Sequence, residues 1–232
     1  MTTATRSAVD VSVVMAVRNG VRFIDQALDS LEASTVTPRE VLVIDGRSED
    51  GTAEVVRRRS WTTLVAQQSS GIADAYNEAI AQTRGGLIAF LSHDDLWAPH
   101  KLARHVDVMT ARPDLALTVS LVQHFLEPGA VAPSGFRREL LDEPVPGMLM
   151  EALVARRDVF EAVGPFDNRF ATGEDTDWFA RARDLGVAQT VIPEVLVRKR
   201  VHAANASLND SQTNTNLLTA LRRSVERKRA AP

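Results

Sequence analysis

Val11 to Val17 is an almost unbroken apolar run rich in β-branched residues, and it predicts a buried strand. Asn19-Gly20 supplies turn chemistry behind it, and Phe23, Ile24, Ala27, Leu28 and Leu31 then recur at helical spacing. The same grammar repeats. Glu40 to Asp45 predicts a second strand, and the polar loop 46–51, with Ser48 or Asp50 able to cap, leads into a helix from about Thr52. A third unit has a strand near Thr62 to Ala66 and a helix from Gly71 to about Thr83, and a fourth strand runs from Gly86 to Leu91. Strands apolar on both faces that alternate with helices predict an α/β fold: one Rossmann-like domain whose mainly parallel sheet lies between helices. Ligands bind such sheets at the carboxyl ends of the strands, which marks the loops 16–20, 45–51 and 92–97.

Beyond Leu91 the pattern changes. Ser92 to Trp97 closes the strand, a helix is expected from Pro99 to Ala111 with proline at its favoured first position, and Leu115 to Phe125 predicts another long strand. Residues 126–147 hold four of the ten prolines, at 128, 133, 144 and 146, and predict a long loop with a lid or acceptor role. Gly173 to Gly186 places Phe179, Ala182 and Leu185 on one helical face, and Val187 to Ile192 and Val195 to Val197 predict two short strands. Leu217, Leu218, Leu221 and Val225 form an apolar stripe on a basic tail ending in Arg227, Lys228 and Arg229.

Composition narrows the function. At 232 residues, 44% of them hydrophobic, the chain is long enough for one substantial core. Its 27 basic and 30 acidic residues leave a formal charge of −3, which gives no general reason to bind nucleic acid. The absence of cysteine excludes disulfides, thiolate metal sites and a cysteine nucleophile, so any metal must sit on oxygen or imidazole. No apolar run reaches membrane-spanning length and residues 1–10 lack the apolar block of a signal peptide, so a cytoplasmic location is expected.

Three acidic or imidazole groups carry candidate chemistry. Asp94 and Asp95 follow an apolar strand directly, and adjacent carboxylates raise each other's pKa unless a cation or strong donors offset them. Glu174, Asp175 and Asp177 open an amphipathic helix beside Trp178, where a carboxylate near an apolar wall can serve as a general base. His202 is a single histidine beside Arg198, Lys199 and Arg200. Taken alone, each has an ordinary reading: a helix cap beside a solvated carboxylate, an acidic first turn favoured by the helix dipole, a packing histidine. The glycine-rich phosphate loop, the dinucleotide fingerprint, the hydrolase elbow and the zinc-protease helix motif are absent.

The order of the pieces is more specific than any one of them. Ser12 to Asn19, Val43 to Thr52, Gly71 to Asn77, Phe90 to Pro99, Gly173 to Trp178 and Arg200 to His202 together resemble the family-2 glycosyltransferases of the GT-A fold, over about residues 11–208. The resemblance implies a donor half at 11–97, an acceptor half at 98–208, an unstructured start at 1–10 and a basic helical tail at 209–232. It implies that Ala16, Val17, Arg18, Asn19 and Asp45 hold the nucleoside of a nucleotide-diphosphate sugar, with Asp74 and Asn77 as further donor contacts. Arg18 stands where the family often has an aromatic residue, and Gly46 where it has a second acidic one. Asp95 is implied as the direct ligand of Mn²⁺ or Mg²⁺, Asp94 as a contact to ribose or metal-bound water, and His202 as completing the metal or pyrophosphate site. Asp175 aligns with the catalytic base, with Glu174 as its support and Trp178 as acceptor wall.

The reaction so implied is an inverting transfer of sugar to the hydroxyl of a glycan, lipid-linked or small-molecule acceptor, assisted by the metal. A sugar-1-phosphate nucleotidyltransferase is the alternative enzyme, although Val11 to Gly20 lacks its glycine-rich basic loop. A catalytically silent sugar-nucleotide or glycan-binding module is the non-enzyme alternative, against which Asp175 stands. The tail is expected to pack on the body or in a homodimer, in preference to peripheral contact with an anionic membrane at the inner face.

Overall fold

The parallel register of four strands brings the predicted ligand loops to one edge. In a computed structural model describing residues 6–205 and 213–230, β1 (Ser7–Val17), β2 (Val36–Asp45), β3 (Thr63–Ala66) and β4 (Leu87–Phe90) pair in the order β3-β2-β1-β4. Val17 lies opposite Asp45, Asp45 opposite Ala66, and Val14 opposite Phe90, so the chain leaves three of these strands at nearly the same level. Helices α1 (Ile24–Glu32), α2 (Thr52–Arg57) and α3 (Ile72–Gln82) return the chain between them.

The second half extends the sheet with mixed directions. β5 (Leu96–Trp97) is followed by α4 (Lys101–Ala111), β6 (Leu117–Leu126), β7 (Val145–Pro146), β8 (Leu153–Arg156), α5 (Arg157–Val163), α6 (Glu174–Asp184) and β9 (Gln189–Val201). β8 joins β4 and β6 antiparallel, β6 and β9 run parallel over ten registered pairs, and β5 closes the edge on β9. Most paired residues therefore lie in parallel ladders, as the alternation of apolar strands and helices predicts. Because neighbouring side chains on a strand alternate faces, Val13, Met15 and Val17 pack with Ile24 and Leu28 on one side, and Val14 and Ala16 pack toward Tyr76 and Phe90 on the other.

Several expected boundaries move, each for a local reason. β1 begins at Ser7, so Ser7 to Asp10 belong to the sheet and not to an unstructured start: Ser7 to Val9 register with Val36 to Pro38. The remainder of that expectation, residues 1–5, and the boundary at 208/209 lie outside the described residues. The two strands predicted after Val187 are one, bulged at Pro193-Glu194, where β6 steps from Ser120 opposite Ile192 to Leu121 opposite Val195. Proline has no N–H to give a ladder, and the bulge accommodates it. Within 126–147, a short 3₁₀ turn at Arg138–Leu141 is pinned by the Gln123 amide donating to the Leu141 carbonyl at 2.7 Å, and β7 is a second anchor.

The final helix, α7 (Thr213–Ala230), packs against α6 through its small and polar face. Ala220 and Ser224 are buried. The Ser224 hydroxyl and the Arg227 guanidinium both donate to Asp184 at 2.9 Å, and Arg223 reaches Asp167 at 2.8 Å.

Candidate active site

The loops after β1 and β2 are fastened to each other at the carboxyl edge of the sheet. Asn19 N–H donates to Ser48 Oγ at 2.8 Å, Gly20 N–H to Thr52 Oγ1 at 2.8 Å and Val21 N–H to Asp50 Oδ2 at 3.0 Å, while Glu49 N–H returns a bond to Asn19 Oδ1. Gly20 is required by close approach: a β-carbon there would lie 2.5 Å from the ring of His93 and 2.6 Å from Val17 Cγ2. Of the residues expected at the nucleoside, Ala16 and Val17 are core side chains, and the Val17 carbonyl is taken by Gly46 N–H. Arg18 and Asn19 are exposed at the loop. Asp45 is buried, with Oδ2 accepting from Ser48 N–H and Oδ1 left without a partner. An unpartnered buried acceptor costs free energy, which leaves Asp45 Oδ1 able to take one more donor.

Asp74 and Asn77 are engaged with the segment before α6. Both amide positions of Asn77 are spent on the backbone of Phe166, at 2.9 Å each, and Asp74 accepts from Asn168. They line a separate cavity of about 520 Å³ with Asp167, Arg169 and Arg181, and neither aspartate of the 94–95 pair, nor Asp175, nor His202 borders it. Their work is to hold the segment that precedes α6.

The two carboxylates of the 94–95 pair are both buried but find different partners. Asp95 is fully buried, its Oδ1 accepting Arg200 N–H at 2.8 Å and its Oδ2 accepting Lys199 Nζ at 3.1 Å. Asp94 faces His202, whose Nε2 lies 3.0 Å from Oδ2, with the Asn205 amide at 3.3 Å. Asp94, and not Asp95, is the member of the pair in contact with His202. The reason lies in β9, whose Arg200 spans the loop, donating to the Asp94 carbonyl at 2.8 Å and to Gln26, and stacking between Phe23 and Phe125.

Electrostatics separates the two aspartates further. Burial pushes Asp95 up to about 7, Lys199 opposing this and Asp94 and Glu151 adding to it. Asp94 is also penalised by burial, but the hydrogen bond from His202 and the nearby charge of His93 and Lys199 hold it well below the usual carboxylate range. Lys199 is held protonated against its own burial by Asp95, Glu151 and Asp94.

The other acidic group is delivered by Gly173, which sits in the left-handed region (φ 84°) and starts α6 without a side-chain cap. Glu174 is buried, and Asp175 Oδ1 accepts Thr176 N–H at 2.6 Å. Burial raises both: Asp175 to about 6, with Glu151 adding and Thr176 opposing, and Glu174 to about 8, with Asp175 adding. Both acids therefore hold their protons more tightly than free carboxyls do, and the charge of Asp175 adds to the rise at Glu174. Trp178 is not an acceptor wall. It is completely buried, stacked on Phe160 at 5.0 Å and Phe166 at 5.8 Å, because the phase of α6 turns Trp178, Phe179 and Ala182 into the core.

Two residues join the acidic groups and escape a reading by motif. Glu151, in a 3₁₀ turn before β8, lies 3.7 Å from Lys199, and its charge acts on Asp95, Glu174 and Asp175; Lys199 acts on the same three. Asp95 and Asp175 thus share one electrostatic environment, through Glu151 and Lys199. The available signals were an isolated acid in the apolar run Met148 to Ala155 and one of only three lysines in an arginine-rich chain. Lys101, another of the three, is fully buried with its Nζ 4.3 Å from the Trp97 ring, and burial lowers it to about 7.

Known proteins share this arrangement of elements. A family model described as glycosyl transferase family 2 matches residues 12–164. Glycosyltransferase AglE of Haloferax volcanii is 30% identical over 201 residues, covering 80% of this chain and 65% of that protein. Staphylococcus aureus TarS 1–349 in complex with UDP-GlcNAc superposes with a TM-score of 0.74 at 14% identity, over 94% of this chain and 66% of that one. The mannosyltransferase PcManGT of Pyrobaculum calidifontis, in complex with GDP-Man and Mn²⁺, does so with 0.70 at 20% identity, over 94% and 64%. The chain spans about two thirds of the length of these relatives. With its mostly parallel sheet, its loops gathered at the strand ends and the family pattern running across more than half its length, the chain belongs to glycosyl transferase family 2 and has the GT-A fold.

Proposed function

We propose that this chain transfers a sugar from a nucleotide-diphosphate sugar to an acceptor hydroxyl, with inversion at the anomeric carbon. One arrangement supports the reading: a hydrogen-bonded Asp94–His202 pair at 3.0 Å and two acids at the start of α6, Glu174 and Asp175, both raised by burial, with the charge of Lys199 acting on Asp94, Glu174 and Asp175 alike. Asp45 receives the nucleoside, its free Oδ1 accepting a donor of the base or ribose. The GDP-Man and UDP-GlcNAc bound by the similar structures support a nucleotide-sugar donor.

The residues fit a divalent cation of the Mn²⁺ or Mg²⁺ kind. Among the described residues no three acidic or imidazole groups converge, but a carboxylate and an imidazole in contact leave most positions for diphosphate and water, the mode such hard cations favour with phosphates. Asp94 and His202 would hold the ion, whose chemistry when bound is to offset charge on the leaving diphosphate. Asp175 accepts the acceptor proton as its oxygen attacks, Glu174 stays neutral beside it, and Lys199 keeps the surrounding carboxylates from repelling the donor.

Asp94→Ala tests the donor half. Thermal stabilisation by a nucleoside diphosphate with Mn²⁺ is expected in the wild type, and at about 100 times Kd it amounts to about 2.7 kcal/mol. The variant should bind about two orders of magnitude more weakly, consistent with the several kcal/mol that metal-phosphate contacts supply. An equal shift in both proteins would remove the pair from the donor site. Asn216→Ala tests the support of the base, because the Asn216 amide donates to the Thr172 carbonyl at 2.9 Å, next to Gly173. Turnover should fall roughly tenfold as the turn loses its placement. The donor KM is expected to stay unchanged, and a change in KM alone would contradict this role.

A further inference from the structure

We propose that the outward face of α7 docks this protein on the surface of an anionic lipid bilayer. The helix has two unlike faces. Its inner face is committed to the body through Asn216, Ala220, Arg223, Ser224 and Arg227. Its outer face carries Leu218, Leu221 and Val225, exposed at 55%, 54% and 48%, and their i, i+3, i+7 spacing puts them on one stripe. The salt bridges beneath anchor the helix so that this stripe is held toward solvent.

Charge identifies the occupant. α7 holds Arg222, Arg223, Arg227, Lys228 and Arg229 against Glu226 alone, in a chain whose net charge is −3. Arg223 and Arg227 are spent inward on Asp167 and Asp184, whereas Arg222 and Arg229, which flank the stripe on the helix, form no ion pair with a described residue. An apolar stripe edged by free guanidinium groups matches the boundary between acyl chains and anionic headgroups: leucines enter the apolar layer and arginine stems extend to phosphates. A second copy fits less well, because a two-fold contact through this stripe would bring the arginines of both helices together.

The test is sedimentation of the full chain with phosphatidylcholine vesicles, with and without phosphatidylglycerol, together with light scattering of the free protein. Wild type should pellet with the anionic vesicles and lose binding as salt rises. Leu218→Ser/Leu221→Ser and Arg222→Glu/Arg229→Glu should each reduce partitioning about tenfold or more, the first by loss of apolar insertion and the second by loss of attraction to the anionic surface. Their melting temperatures should not change, since these side chains are exposed. Wild type that stays in the supernatant overturns the proposal, as does binding unchanged in either variant or equal binding to neutral vesicles. A concentration-dependent dimer abolished by Leu218→Ser/Leu221→Ser assigns the stripe to a second copy and likewise overturns it.

Discussion

Asp175→Asn is expected to lower turnover by about 10³-fold while leaving nucleoside diphosphate binding with Mn²⁺ intact. The loss of a positioned general base costs about 10²–10⁴-fold. Asparagine nearly preserves the shape of aspartate, and the bond from Thr176 N–H goes to an oxygen that the amide retains, so the start of α6 should survive. The pH profile provides a second reading of the same group. Burial raises the Asp175 carboxyl to about 6, so the base form is gained as pH rises through that region and kcat/KM should climb with it. Glu174, raised to about 8, keeps its proton over that range; its own ionisation would place a second charge beside Asp175 and should end the plateau. Transfer at an undiminished rate by Asp175→Asn would assign the base elsewhere, with Glu151 the next carboxylate to examine.

The largest stability effect is expected at Lys199. It stands between Asp95, which is fully buried, and Glu151, and removing one partner of a buried ion pair typically costs about 3–5 kcal/mol because the other charge is left uncompensated. Lys199→Met should therefore lower the melting temperature by roughly 10 °C for a chain of this size. The sign of the pH dependence follows from the acids left behind. Asp95 already has a raised pKa in the folded protein, and without Lys199 it moves further up, so the folded state binds the proton more tightly than the unfolded chain. The destabilisation should be greatest near about pH 8 and shrink toward about pH 5, as the buried carboxyls take up protons. Calorimetry at both values measures it, and Lys199→Arg should recover part of the loss by restoring the charge. A variant as stable as the wild type at every pH would mean that Lys199 is not what compensates these acids.

Much of the donor half was legible because its signals are local. An apolar strand, a polar loop and an amphipathic helix can each be read within a dozen residues, and a parallel sheet then places the loops after β1, β2 and β4 at one edge. Asp45 and Asp94 were singled out there as candidates, and Glu174, Asp175 and His202 in the second half, each in a short motif. The reading was weaker wherever a role depended on the phase of a helix or the side of a strand. Asn77 sits one helical turn into α3, and only the position of Phe166, 89 residues away, shows that its amide braces a loop. Trp178 follows the acidic turn directly in sequence, yet the phase of α6 sends it beneath the site.

The chain by itself determined the family, the α/β alternation, the strand ends where chemistry gathers and the acidic residues available there, since these follow from apolar periodicity and from motifs of adjacent residues. Only the tertiary structure decided how those residues divide the work. Neighbouring residues such as Asp94 and Asp95 find different partners, and Asp95 is held by Lys199 and Arg200, 104 and 105 residues away. Glu151 joined the site through the same strand, and α7 turned its leucines outward because Asp167 and Asp184 hold its arginines inward. Long-range pairing of charges fixes these outcomes, and the order of residues along a chain does not record it.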